Sequence, residues 1–131
     1  MTASRPSPFS EPLSRDDCLS LLRSADLARI VLSVRCLPAA LPARISLIGE
    51  DHLLFASSES AVVLAARRGD VISVQIDGLD PDNTTWSVMV SGIATSARPD
   101  ELLTAQLKNT VDRGALLMAL PLSVLVGQRG H

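Results

Sequence analysis

Apolar residues recur at every second position in three separate stretches of this chain: Ile30, Leu32 and Val34; Ile72, Val74 and Ile76; Trp86, Val88 and Val90. A period of two sends successive side chains to opposite faces of an extended backbone, so each stretch predicts a strand with one face in a core. Three such strands have to share a sheet, which rules out a helical bundle.

The remaining elements are read around them. A second strand is expected from about Ala39 to Ile48, a turn at Gly49-Glu50-Asp51, and a third strand from His52 to Ala56, making a meander with the first. Asp77 to Asn83, with Gly78 and Pro81, reads as a loop, and Thr84 to Ala94 as the longest strand. Ala115–Ala119 and Leu122–Val126 read as one last strand broken at Pro121. Ser14 and Asp17 fit a capping pattern for a helix from Arg15 to about Ser24, with Cys18, Leu21, Leu22 and Ala25 at helical spacing. Ala61 to Arg68 is a short helix with Gly69 past its end, and Ser57, Ser58 and Ser60 before it are candidate caps. Arg98-Pro99-Asp100-Glu101 opens another helix, because proline suits the first turn and acids its positive end. The fold class is therefore mainly β with peripheral helices, a small antiparallel barrel.

A chain of 131 residues fits one domain, with residues 1–12, carrying three prolines, as a flexible arm and 13–131 as the folded unit. Its 47% apolar content implies more covered surface than average, which a second copy would supply. The net charge is −2 and the only lysine is Lys108, so no basic stripe exists to bind nucleic acid. Apolar runs are interrupted before the ~18 residues of a membrane span, and no secretory segment follows Met1, so a cytoplasmic location is expected.

Self-contained catalysis finds little support. His52 and His131 are the only histidines, no nucleophile elbow is present, and neither His nor Cys pairs stand at zinc-ligand spacing. Cys18 and Cys36 read as reduced, small core residues. Asp77, Asp80 and Asp82 lack the EF-hand pattern. Phosphate-binding glycine loops are absent, leaving Ser57-Ser58-Glu59-Ser60 at a helix start either as capping residues or as an anion site. The residues thus point to a binder, or to an enzyme whose cofactor carries the reaction.

The order of pieces adds to this. "LSRDDCLSLLRSADLARIVLS", then "LPAALPARISLIGEDHLLFASSESAVVLAARRGDVISVQID", then "TWSVMVSGIA" resembles the pyridoxamine 5′-phosphate oxidase-like family of flavin-binding split barrels, over Leu13 to about Arg129. The resemblance implies a six-stranded split barrel that forms a homodimer, with FMN, or the deazaflavin F420, in a cleft between subunits, and a role as an oxidoreductase. It implies cofactor contacts from strand two, here Arg44 and Ile45, and from the segment after strand three, here Ser57, Ser58, Ser60 and Val62. Ser87 matches a polar position that faces the flavin, with Trp86 beside it. Two positions depart from the pattern: Ala56 replaces a basic or hydroxyl residue, and Val62 stands where a phosphate-binding lysine is expected. Arg44, or Arg67 and Arg68, are the cations available instead. The alternative reading is a relative that has lost tight cofactor binding and acts as a binding or structural module. Heme or tetrapyrrole handling, which related split barrels perform, is a third.

Overall fold

The computed structural model describes residues 11–97 and 105–130. Its elements run β1 (Glu11–Pro12), α1 (Arg15–Ser24), β2 (Leu27–Val34), β3 (Leu37–Ile48), β4 (His52–Ser57), α2 (Ser60–Arg68), β5 (Val71–Leu79), β6 (Thr85–Ile93), β7 (Thr95–Ser96), α3 (Ala105–Asp112), β8 (Leu116–Pro121) and β9 (Val124–Arg129). All strands join one antiparallel sheet in the order β1-β9-β6-β5-β2-β3-β4-β8-β7. The sheet curls so that Gly92 of β6 faces Leu120 and Pro121 of β8. This is a split barrel. Its interior is filled by the residues that the period-two pattern placed inward, among them Ile30, Ile72, Val74, Val88 and Val90, packed with Phe55, Leu53, Met118 and Leu120.

Strand count and bounds differ from the sequence reading for physical reasons. Among the described residues seven strands have six or more residues, because the expected last strand is two. Pro121 ends the ladder opposite His52, Leu122 donates its N–H to the carbonyl of Asp51, and the chain then turns into β9, which pairs with β6 instead of β4. The expected loop at Asp77 begins only after Leu79, because Asp77, Gly78 and Leu79 still pair with Ser87, Trp86 and Thr85. The longest strand is β3, with 12 residues, whereas β6 has nine. β3 starts early because Arg35 and Cys36 alone make the turn from β2, with φ of 51° and 64°. Of the expected arm, Glu11 and Pro12 pair with Arg129 and Gln128, and the rest lies outside the described residues. The expected helix opening at 98–101 also lies outside them.

Among the described residues three helices pack against the barrel. Ser14 Oγ accepts the Asp17 N–H at 3.1 Å, as its spacing predicts, and α1 buries Cys18, Leu19 and Leu22. Cys18 Sγ occupies the space where a Cβ on Gly127 of β9 would stand, so the missing side chain lets α1 dock. α2 ends at Gly69, whose φ of 72° is open to glycine at little strain and whose N–H caps Ala65 and Ala66. Its N-cap is Glu59 and not Ser60; the serine that bonds backbone there is Ser57, whose Oγ accepts the Glu59 N–H at 3.1 Å. α3 lies on the outer face of β4 and β8, where Leu107 packs with Leu54, Ala56 and Leu117 in a second small core. That cover explains why β4 is buried on both faces.

Candidate functional site

β3 and β4 pair from Ile48↔His52 to Arg44↔Ala56 and then part. Beyond this fork β3 continues toward its start with only β2 beside it. The Ile45 N–H points to Asp26 on the β2 side, so odd-numbered residues of β3 direct their N–H to β2 and even-numbered ones to the free side. Pro38 and Pro42 fall on the free side, where a missing N–H removes no ladder bond. The fork therefore stays open.

A recess of about 230 Å³ fills it, lined by Leu27, Pro42, Ala43, Arg44, Ala56, Ser57, Ser58, Glu59 and Thr110. A second recess, about 370 Å³, continues from it through the shared residues Arg44 and Thr110 and adds Asn109 and Arg113. Ser57 is the buried hydroxyl of the group, only 6% exposed, and its Oγ is already an acceptor for the Glu59 N–H. Its proton remains available to a ligand acceptor. Arg44 and Arg113 are exposed, and Glu59 is the carboxylate nearby. The donor set of two guanidiniums, two serines, an amide and a threonine suits a ligand that combines hydrogen-bonding edges with negative charge.

The sequence-derived site residues fall in separate places. Arg44, Ser57 and Ser58 meet in the fork. Ile45 and Val62 are 3% and 0% exposed, point into the main core, and do not line it. Ser60 lines a different recess of about 430 Å³ with Arg35, Arg68 and Asp70, where cations and an anion share the wall. Trp86 and Ser87 line a third, with Gln75, Asp77, Gly78 and Gln128. Arg67 and Arg68 line yet another, beside Ile93, Thr95 and Ser96, and do not reach the fork.

Sequence reasoning missed Asn109, Thr110 and Arg113, which α3 carries in. The signal was weak: Leu107 anchors the helix on β4, and Thr110 follows one turn later. Gly114, at φ 99°, lets the helix end tightly, and the N–H groups of Arg113, Gly114 and Ala115 satisfy the carbonyls of Asn109, Val111 and Thr110.

Away from the fork, burial, then the Asp17 charge, pushes the Cys18 thiol up, and hydrogen bonds from Thr84 hold the Asp82 carboxyl below its usual range. On the opposite side of the barrel, Arg129 Nε stands 2.7 Å from Asp80 Oδ2, an ion pair whose N–H is not aimed along the contact.

Comparison with known proteins agrees with this architecture. The family model for pyridoxamine 5′-phosphate oxidase matches residues 14–115. The uncharacterized protein Rv0080 of Mycobacterium tuberculosis is 37% identical over 95 residues, which span 68% of this chain and 62% of that relative. Among solved structures, an FAD-binding protein from Mycobacterium smegmatis is similar at a TM-score of 0.68 and 26% identity, over 92% of this chain and 100% of its own. An FAD-binding protein from Mesorhizobium loti superimposes with a TM-score of 0.73 over 92% of this chain and 96% of its own, and at 18% identity shares the fold. A split barrel matched along residues 14–115 and closed as described makes this chain a member of the pyridoxamine 5′-phosphate oxidase-like family.

Proposed function

We propose that this chain is a flavin-nucleotide-binding protein that acts as a homodimer in the cytoplasm, with the Arg44–Ser57–Ser58 fork as its cofactor cleft. The observation that carries the reading is the fork itself, where a cation from β3 and two hydroxyls at the end of β4 face one recess. The FAD-binding similarity of the Mycobacterium smegmatis protein supports a flavin, with FMN, FAD and F420 as the candidates. When bound, a flavin supplies hydride and electron transfer, which makes an oxidoreductase the matching activity. The chain's own residues bind and orient: Ser57 offers its proton, Arg44 its fork of donors, and Pro42 an apolar wall.

The homodimer rests on the outer face of β5, β6 and β9. Val71 and Ile93 stand opposite each other there, 65% and 51% exposed, with Val124 and Val126 on the neighbouring strand. Contiguous exposed apolar residues of this kind mark an interaction surface, and a stable pair would cover over ~1,200 Å². Such a partner would place a second set of side chains, Ser87 and Met89 of the outer face among them, beside a subunit boundary. Among the described residues no helix is long and apolar enough to cross a membrane.

A cofactor-free module is the second reading, favoured by the apolar Val62 at the expected lysine position. Purified protein separates the two. Titration with FMN, FAD and F420, read by calorimetry and visible absorption, should show saturable binding to at least one, and sedimentation should show a species of twice 13.9 kDa. A colourless protein that binds none of the three leaves the module.

A further inference from the structure

Val62 is fully buried in the core, so α2 brings no cation to the fork. The recess that extends the fork is nevertheless cationic: Arg44 from β3 and Arg113 from the end of α3 face it with Asn109 and Thr110, and no carboxylate lines it. Other basic recesses fit less well. The one under Ser60 includes Asp70, and the one at Arg67 and Arg68 shares no residue with the fork. Among the described residues neither Arg44 nor Arg113 has an ion-pair partner.

A helix C-terminus ordinarily repels anions through its free carbonyls. Here the carbonyls of Asn109, Thr110 and Val111 accept backbone N–H groups, which reduces that repulsion and leaves the Arg113 guanidinium as the main charge at the helix end. Resting on the flavin-binding reading above, we infer that Arg113 and Arg44 together hold the phosphate end of the flavin nucleotide, with Asn109 donating beside them. The phosphate cation has thus moved from α2 to α3. The adjoining volumes fit a division of labour, with the uncharged part of the ligand in the fork and its phosphate, or diphosphate, in the larger recess.

Calorimetric titration of wild-type, Arg113→Gln and Arg113→Lys full-length protein with riboflavin, FMN and FAD tests this. Arg113 is exposed, so both variants should fold, which circular dichroism checks. Arg113→Gln should weaken FMN and FAD by about tenfold to a hundredfold, the range for one charged hydrogen-bonded contact, and leave riboflavin unchanged. Arg113→Lys should recover part of the loss, because it keeps the charge without the planar fork. A larger loss for FAD than for FMN assigns the pair to the diphosphate, and an equal loss to a single phosphate. Unchanged FMN affinity in Arg113→Gln, or a riboflavin loss as large as that of FMN, overturns the assignment while the flavin-binding reading stands. Wild-type protein that binds none of the three flavins overturns the assignment, and the flavin-binding reading falls with it if F420 also fails to bind.

Discussion

The indole of Trp86 covers Gly78, its partner across the β5–β6 ladder: a Cβ built on Gly78 would stand 2.6 Å from Trp86 Cζ2 and 2.9 Å from Cε2. An aromatic laid over a cross-strand glycine fills the space the glycine leaves, and here it extends the strand past Asp77 into what reads as a turn.

Gly78→Ala should therefore push the ring aside. The chain has one Trp and no Tyr, so intrinsic emission reports this single place. We expect a shift of the emission maximum together with a stability loss of about 1–2 kcal/mol from overpacking. A variant with the wild-type spectrum and the wild-type melting temperature would show that the ring does not rest there.

Arg35 and Cys36 carry the β2–β3 turn at positive φ, a conformation that costs a residue with a side chain about 1–2 kcal/mol. Replacing the pair by Asn-Gly, which prefers this two-residue turn, should raise stability by about 1–2 kcal/mol and the melting temperature by several degrees. Chemical denaturation with an unchanged midpoint would contradict the turn geometry.

Val62→Lys is a test of core placement. Lysine there would bury an uncompensated ammonium, with an expected loss of about 3–5 kcal/mol. Desolvation lowers a buried lysine's pKa below its unfolded value, so the unfolded state binds more protons and the deficit should shrink as pH rises toward 10 or so. A variant that melts like wild type would place position 62 at the surface.

Cys18 titrates with the opposite sign. Burial and then Asp17 raise its thiol above the ordinary 9.0, so the native state holds its proton where the unfolded state has lost it. Stability should fall as pH climbs above that value, and Cys18→Ala should flatten this slope. Cysteine labelling gives a second readout: the exposed Cys36 should react quickly in native protein, and Cys18 only as fast as the fold opens. Equal labelling rates would count against the buried placement.

Legibility of the fold followed periodicity. The core faces of β2, β5 and β6 were plain because alternation over five or more residues has few other meanings, and the Ser14 and Gly69 caps were plain because their geometry needs those residue types. The Arg35-Cys36 turn was invisible, since neither residue favours positive φ, and the split between β8 and β9 depends on pairing partners far apart in sequence. For the candidate site, Ser57 and Ser58 were legible as hydroxyls before a helix, and Arg44 only through the family resemblance. Arg113 was not, because it reaches Arg44 only after Leu107 has seated α3 on the outside of β4. Ser60 looked like a cap, yet the helix begins one residue earlier than a cap at that position requires, with Glu59 as its N-cap.

The prolines of β3 have a consequence for how the protein behaves in company. An open strand edge invites a passing strand to add to it, and the segment from Leu37 to Ala43 is apolar enough to aggregate if it did. With Pro38 and Pro42 on that edge, Ala40 supplies the only even-numbered N–H between them, too sparse a template for a foreign ladder. The same two residues keep the notch from zipping shut when nothing is in it. On the cofactor-cleft reading a ligand would meet a gap shaped during folding, with little ordering left to do on arrival.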